Sequence, residues 1–140
     1  MIIYLDASVV AALITKDIFS DRAEAFLLAE APAVILSDYA AAEFASVVAR
    51  RARTRELTRR EAHAAFSALD QWAPRATTRV ATIAADIAVA AAFVRRLDLP
   101  LRTPDAVNIA IAQRMAATLA TFDVRMATSA TALGVPIASL

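Results

Sequence analysis

Short apolar segments that alternate with longer helical segments constrain the fold of this chain more than any other feature of its sequence. Four of these segments are short enough for buried strands, and they lie at residues 1–5, 33–36, 78–83 and 118–122. A fifth, residues 135–138, contains a proline, which an edge strand tolerates. This alternation predicts an α/β fold with a mostly parallel central sheet of four or five strands flanked by helices. The 140 residues fit one domain, residues 1–140.

Side chains that cap helices mark where the longer segments begin. Ser37 precedes a predicted helix from residue 39 to about residue 53, and Thr58 caps another from residue 59 to about residue 72. Pro74 predicts a break after this second helix. A further helix is expected over residues 84–97, ahead of the segment that we expect to be most buried.

That segment, residues 103–115, carries start signals and an almost continuous apolar surface. Thr103 can cap the helix, Pro104 suits its first position, and Asp105 then lies beside the positive end of the helix dipole. Asn108 follows one turn later on the same face as Asp105. Because apolar side chains cover most of the remaining surface, the helix should be largely buried. Taken alone, Asp105 is explained equally well as a complement to the dipole.

Composition excludes several classes of protein. With 59% hydrophobic residues, disorder is not expected, yet no apolar run reaches the roughly 18–20 residues that cross a bilayer. Residues 1–5 are too few for the core of a signal peptide, so a cytoplasmic protein without membrane contact is expected. The absence of cysteine excludes disulfides and thiolate metal sites. A net charge of +1 means that any affinity for nucleic acid must come from local clusters of charge.

Four acidic residues occupy positions where a ligand site is expected. Asp6 ends the first strand, Asp123 follows a late strand, and the carboxyl ends of parallel strands are where ligands bind. Asp105 opens the buried helix. Glu43 interrupts an almost apolar helix face, and it is either an exposed residue on a tilted helix or part of a site.

If these acids converge, their charges need a partner. Carboxylates about 5 Å apart repel by about 3 kcal/mol per pair at an effective dielectric constant near 20. Lys16 is the only lysine, and His63 lies on a polar helix surface, which disfavours a zinc site. A hard divalent ion such as Mg²⁺ prefers oxygen ligands, and a pair of such ions can activate water against a phosphodiester.

Four short motifs along the chain resemble those of PIN-domain ribonucleases, and in particular VapC-type toxins of bacterial toxin–antitoxin pairs. They are Ile3-Tyr4-Leu5-Asp6-Ala7-Ser8, Ala42-Glu43, Arg102-Thr103-Pro104-Asp105-Ala106 and Thr121-Phe122-Asp123. Each motif is weak alone, but together they occur in this order over essentially the whole chain. The resemblance therefore implies a single PIN-like nuclease domain over residues 1–140.

The resemblance also implies an activity, a cofactor and partners. It implies an endoribonuclease of a type II toxin–antitoxin system, which hydrolyses RNA phosphodiester bonds with metal-activated water and depends on Mg²⁺ or Mn²⁺. A small cognate antitoxin and a homodimer are implied as well. The acids that match the family's catalytic and metal-binding positions are Asp6, Glu43, Asp105 and Asp123.

Three further residues match supporting positions of the family. Ser8 and Thr121 match small hydroxyl residues beside the site, although helix capping and core packing explain them about as well. Asn108 stands where many relatives carry histidine, and it can still donate a hydrogen bond to a carboxylate or to water. These three are expected to support the acids rather than to react.

A cluster of arginines lies between the predicted helices of the middle of the chain. Arginine suits phosphate because its planar guanidinium group donates two hydrogen bonds at once. The cluster is interpreted as a contact surface for RNA or for acids of the antitoxin, with solvated helix faces as the alternative. Its members are Arg50, Arg51, Arg53, Arg55, Arg59 and Arg60.

Other functions stay open at this stage. A catalytically silent PIN-fold binding partner would keep the fold without activity. A phospho-acceptor domain needs a lysine after a late strand, whereas Lys16 follows the first helix. A phosphatase with an aspartate nucleophile would favour a second aspartate at the position of Ser8.

Overall fold

The computed structural model describes all residues, 1–140, and contains one sheet of four parallel strands. The strands lie in the order β3-β2-β1-β4, with both neighbours of β1 formed by segments distant from it in sequence. The predicted α/β fold with a parallel sheet is confirmed. The strands are β1 (Ile2–Leu5), β2 (Ala33–Ser37), β3 (Thr78–Val80) and β4 (Thr118–Ala120).

Seven helices flank the sheet, and several begin at the capping residues that the sequence indicates. Ser37 accepts a hydrogen bond from the backbone of Ala40, and Thr58 forms a reciprocal capping box with Glu61. The helices are α1 (Ala7–Ile14), α2 (Ser20–Glu30), α3 (Asp38–Arg53), α4 (Arg59–Ala76), α5 (Ala84–Arg95), α6 (Thr103–Arg114) and α7 (Val124–Ala132).

The register of the sheet brings the ends of β1, β2 and β4 to one edge. Tyr4 pairs with Ile35 on one side and with Leu119 on the other. Ile3, Tyr4 and Leu5 are fully buried because β1 lies in the middle of the sheet with helices against it. Parallel strands end on the same side, so the residues that follow β1, β2 and β4 are neighbours in space.

Helix α6 is the most buried helix, as its apolar surface predicts. Every residue from Asp105 to Ala112 is buried, including two polar ones, Asp105 and Asn108. A salt bridge attaches the far end of α6 to α5, with Arg114 Nε 2.7 Å from Asp86 Oδ1. The last turn of α6 is therefore tied to the first turn of α5.

Three local predictions are wrong. Thr103 does not cap α6; the extended residue Arg102 does, and its backbone N–H is bound by the Asp105 carboxylate at 3.2 Å. Pro74 does not break α4, which continues to Ala76; the proline removes one backbone hydrogen bond near the end of the helix, and the backbone of Thr77 still donates to Ala73. Residues 135–138 form a single bridge between Leu119 and Ile137 instead of a strand.

The seven helices include none that is both long and apolar enough to cross a membrane.

Candidate active site

Asp6 occupies the centre of the carboxyl edge of the sheet. It follows β1 directly, caps α1, and is 3% exposed. Its Oδ1 accepts hydrogen bonds from the backbone of Ser8 at 3.0 Å, from the Ser8 hydroxyl at 2.7 Å, and from the backbone of Val9 at 3.1 Å. Thr121 Oγ1 donates to Oδ2 at 2.6 Å. All four donors are neutral, so they orient the Asp6 carboxylate without cancelling its charge.

Ser8 and Thr121 join the end of β1 to the end of β4. The Ser8 hydroxyl accepts from the backbone of Phe122 at 2.9 Å while it donates to Asp6. Thr121 Oγ1 accepts from the backbone of Asp123 at 3.0 Å. Helix capping and core packing therefore account for only part of what these two hydroxyls do, since both hold the Asp6 carboxylate directly.

Glu43 is held from the opposite side by a buried chain of side chains. Asn108 donates through Nδ2 to Glu43 Oε1 and to the carbonyl of Pro104, and its Oδ1 accepts from the hydroxyl of Tyr4. The Tyr4 hydroxyl also shares a hydrogen bond of 2.7 Å with Ser37 Oγ, beside the start of α3. The chain from β1 through α6 to α3 fixes one oxygen of Glu43.

Tyr4 and Ser37 are the two contributors that sequence reasoning missed as parts of this site. Tyr4 was counted among the apolar residues of a strand, and Ser37 only as a cap. A buried tyrosine hydroxyl nearly always finds a hydrogen-bond partner, so a tyrosine in a fully buried strand was the available signal.

Asp105 lies one turn before Asn108, in the first turn of α6. Its carboxylate accepts from the backbone of Arg102, and the Arg102 guanidinium lies 3.4 Å away. The Arg102 side chain is 74% exposed, whereas that of Asp105 is 10% exposed. The guanidinium group that contacts Asp105 therefore stands largely in solvent and neutralises little of the buried charge.

The pKa values of Asp6 and Glu43 are both raised, mainly by burial. Burial raises the pKa of Asp6 above its ordinary value, although hydrogen bonds from Thr121 and Ser8 oppose the increase. Burial raises the pKa of Glu43 to about 7, with further contributions from the negative charges of Asp6 and Asp105. The carboxylates of Asp6 and Asp105 are thus each close enough to Glu43 to disfavour its charge.

Asp123 is connected to this group less directly. Its Oδ1 caps α7 by accepting from the backbones of Arg125 at 2.9 Å and Met126 at 3.0 Å. Its backbone N–H reaches Asp6 only through the Thr121 hydroxyl. The structure therefore brings Asp6, Glu43 and Asp105 into one acidic pocket, with Asp123 at its margin.

The donor atoms of this pocket fit a hard divalent cation. They are carboxylate oxygens, which Mg²⁺ and Mn²⁺ prefer as ligands. No three acidic or histidine side chains lie close enough to hold one ion between them. The pocket therefore suits an ion that uses one or two carboxylates and keeps several waters, which is the usual way in which Mg²⁺ is bound.

The six arginines do not form one surface. Arg50 and Arg53 line a cavity of about 490 Å³ that also contains Glu43 and Tyr39, so this groove of α3 reaches the acidic pocket at Glu43. Arg51 turns the other way, with Nη1 2.9 Å from Thr15 Oγ1 and Nη2 3.5 Å from Asp17. The exposed side chains outside this groove are Arg55, Arg59 and Arg60.

The fold and the site define an α/β protein whose parallel sheet gathers carboxylates at the carboxyl ends of its strands. A family model of the PIN domain matches residues 3–130, and the chain therefore belongs to the PIN domain family. The family resemblance that the four motifs indicate is confirmed. None of the curated proteins compared with the sequence matches it.

Solved structures show the same fold at low sequence identity. VapC20 of Mycobacterium tuberculosis, a toxin that cleaves the sarcin-ricin loop, is 21% identical with a TM-score of 0.76, over 99% of each chain. VapBC2 of Rickettsia felis, bound to a DNA fragment from its promoter, is 18% identical with a TM-score of 0.72, over 99% of this chain and 98% of that one. FitAcB of Neisseria gonorrhoeae is 20% identical with a TM-score of 0.70, over 98% and 96%.

Proposed function

We propose that this protein is a metal-dependent endoribonuclease and the toxin of a type II toxin–antitoxin pair. The observation that carries the proposal is the acidic pocket: Asp6 is 3% exposed and receives only neutral hydrogen bonds, and burial with two neighbouring acids raises the pKa of Glu43 to about 7. A fold that keeps such charge together without a buried base fits a site for a divalent cation. Membership of the PIN domain family and the likeness to VapC20 support the same function.

Some residues of the pocket would bind a cation, and others orient the side chains that bind it. One or two of the carboxylates of Asp6, Glu43 and Asp105 would bind the ion directly, and the remaining acids, with Asp123 at the margin, would contact it through its bound waters. A bound Mg²⁺ or Mn²⁺ supplies positive charge to the phosphate and lowers the pKa of an attacking water. Ser8 and Thr121 fix both oxygens of Asp6, while Asn108 fixes one oxygen of Glu43 and leaves the other for a ligand.

The groove of α3 provides a path for the rest of the RNA. Arg50 and Arg53 lie about two and nearly three turns along the helix from Glu43, on the wall of the same cavity. Guanidinium groups at this place suit the phosphates that precede or follow the scissile one. Arg51 is engaged by Asp17 and Thr15, so we assign it to the fold rather than to RNA.

The proposal extends to partners. A small cognate antitoxin would bind the toxin and block its site, which the likeness to VapBC2 and FitAcB supports. A homodimer would be the assembly of the toxin itself. Neither proposal depends on the choice of RNA substrate.

An RNA cleavage assay with matched variants tests the activity. The wild-type chain should cleave total cellular RNA with Mg²⁺ or Mn²⁺ and not with EDTA, leaving 5′-phosphate and 3′-hydroxyl ends. Asp6→Asn should abolish cleavage while keeping the fold, because it removes the most buried charge of the pocket. Asp70→Asn, a control at an exposed aspartate of α4, should cleave like the wild type.

Four results would contradict the proposal. Cleavage by Asp6→Asn at the wild-type rate would show that the pocket is not the active site. Equal cleavage in EDTA would show that the reaction does not depend on a metal ion. Hydrolysis of acetyl phosphate without cleavage of RNA would indicate a phosphatase, and the absence of both activities would indicate a silent binding partner.

A further inference from the structure

A second cavity, of about 500 Å³, opens beside the carboxyl end of β4. Thr121 and Phe122 form its inner wall, Phe19 and Arg22 form one side, and residues of α7 and of the segment 137–140 form the others. The proposed roles of the acids and arginines do not involve this cavity.

The side of the cavity nearest α2 is a group of flat, stacked surfaces. The rings of Phe19 and Phe122 are parallel to within 11°, with centroids 4.4 Å apart. The guanidinium carbon of Arg22 lies 5.4 Å from the Phe122 centroid and 5.9 Å from that of Phe19. Arg22 Nη2 donates to the carbonyl of Leu140 at 2.8 Å, which holds the guanidinium group in place over the rings. The cavity therefore has a pre-oriented aromatic and cationic wall.

The same cavity is joined to the acidic pocket through two shared residues. Thr121 lines the cavity and also donates to Asp6. Phe122 contributes its ring to the cavity, and its backbone donates to Ser8, which in turn holds Asp6. A ligand in the cavity therefore contacts Thr121 and Phe122, the residues that help to orient the Asp6 carboxylate.

The order of the strands places this cavity and the α3 groove on opposite sides of Asp6. Strand β1 ends at Asp6, with β4 and the cavity on one side and β2, followed by α3, on the other. A polymer that crosses Asp6 along the sheet edge meets the arginine-lined groove on one side and the aromatic cavity on the other. One side suits phosphates, and the other suits a planar, uncharged group.

We propose that the cavity beside β4 is a subsite for one unstacked base of single-stranded RNA, next to the phosphate at the acidic pocket. This subsite rests on the proposed endoribonuclease function. Proteins that bind single-stranded RNA stack splayed bases on aromatic rings and on guanidinium planes. Thr128 and Thr131 also line the cavity; their hydroxyls donate to the carbonyls of Val124 and Ala127, which leaves their oxygens free to accept from an N–H group of the base.

Photo-crosslinking tests the location of the base without requiring cleavage. The full chain would be irradiated in EDTA with a single-stranded RNA pool that carries 4-thiouridine at random positions, and the crosslinked peptides would be mapped. We expect crosslinks on peptides that contain Phe19 or Phe122. Crosslinks confined to other peptides, such as those of the α3 groove, would overturn the proposal whether or not the protein cleaves RNA.

A cleavage assay with abasic substrates tests the contribution of the base. On a substrate mapped with the wild-type chain, one abasic nucleotide beside the cut should lower kcat/KM about tenfold, the order of magnitude of base–aromatic stacking. In the Phe19→Leu variant, the same abasic substitution should lower kcat/KM by a much smaller factor. The same is expected of Arg22→Gln, which changes only an exposed side chain. Phe66→Leu, a control on α4, should retain the full effect.

The two proposals fail in different ways. An abasic effect of equal size in the wild type and in both variants, or none at any position, would refute the subsite alone. The latter result would also be expected if the cavity receives a side chain of a protein partner. Absence of cleavage on every RNA would refute the enzymatic function and leave the crosslinking experiment to decide on the base.

Discussion

Replacing Glu43 by glutamine should stabilise the metal-free protein above neutral pH. Burial and the charges of Asp6 and Asp105 raise the pKa of Glu43 from 4.5 to about 7 in the folded state. At about 1.36 kcal/mol per pH unit, this shift corresponds to at most about 3.4 kcal/mol of unfavourable free energy for the charged carboxylate. Because Glu43 is only half-buried, solvent screening reduces the expected effect to about 1–2 kcal/mol. Glutamine keeps an oxygen that accepts from Asn108, so the packing is preserved.

The pH dependence gives this prediction its sign. A carboxyl group with a raised pKa stabilises the fold fully below the unfolded pKa of 4.5, and this contribution is lost as pH rises through about 7. Urea unfolding of the metal-free proteins at pH 5 and pH 8 should therefore show little difference between wild type and Glu43→Gln at pH 5. At pH 8 the variant should be more stable by about 1–2 kcal/mol.

A matched substitution separates this effect from a general one. Glu24→Gln, at an exposed position of α2, removes the same charge and should change stability by less than about 0.5 kcal/mol at either pH. If Glu43→Gln had the same stability as the wild type at pH 8, or were less stable there, the charged Glu43 carboxylate would not destabilise the folded state. The interpretation of the pocket as uncompensated negative charge would then be refuted.

Three further outcomes are expected. Tyr4→Phe should lower the unfolding free energy by about 1–3 kcal/mol in urea, because it leaves the buried Asn108 carbonyl without its donor; an unchanged midpoint would contradict the buried hydrogen-bond chain. Asp86→Asn breaks a salt bridge between a buried carboxylate and the partly exposed Arg114, and it should lower the free energy of unfolding by about 2–3 kcal/mol. Equal stability of the variant and the wild type would refute the role of this salt bridge in holding α5 to α6. Arg53→Gln should weaken binding of single-stranded RNA and lower its salt slope by about 0.7, measured in EDTA. Arg60→Gln, outside the groove, should change neither quantity, and a similar loss in both would mean that the groove is not the binding path.

Much of the fold was predictable because its signals are local. Short apolar runs separated by helical segments indicate a parallel sheet, and β1 and β2 lie where those runs are. The apolar surface of α6 correctly predicted the most buried helix. Errors occurred where one residue type serves several contexts. The helix α4 continues past Pro74 despite the hydrogen bond that the proline removes, and α6 begins at Arg102, whose backbone N–H is bound by the Asp105 carboxylate, without a cap from Thr103.

The candidate site was predictable only as a set of positions. Chain order places Asp6 and Asp123 after strands and Asp105 at the start of a helix, and Glu43 stands out because it interrupts an almost apolar helix face. How these residues contact one another depends on segments far apart in sequence. Asn108 holds Glu43 across 65 positions, and Thr121 holds Asp6 across 115.

The sequence by itself determined the strands, most helix starts, the buried helix and the order of acids that the PIN domain family shares. Only the tertiary structure decided that Tyr4 supports the site, that the arginines separate into a groove and a salt bridge, and that Phe19 stacks on Phe122. The physical reason is that strand and helix patterns arise from neighbours along the chain. The direction and partners of a side chain arise from the packing of distant segments, which periodicity does not encode.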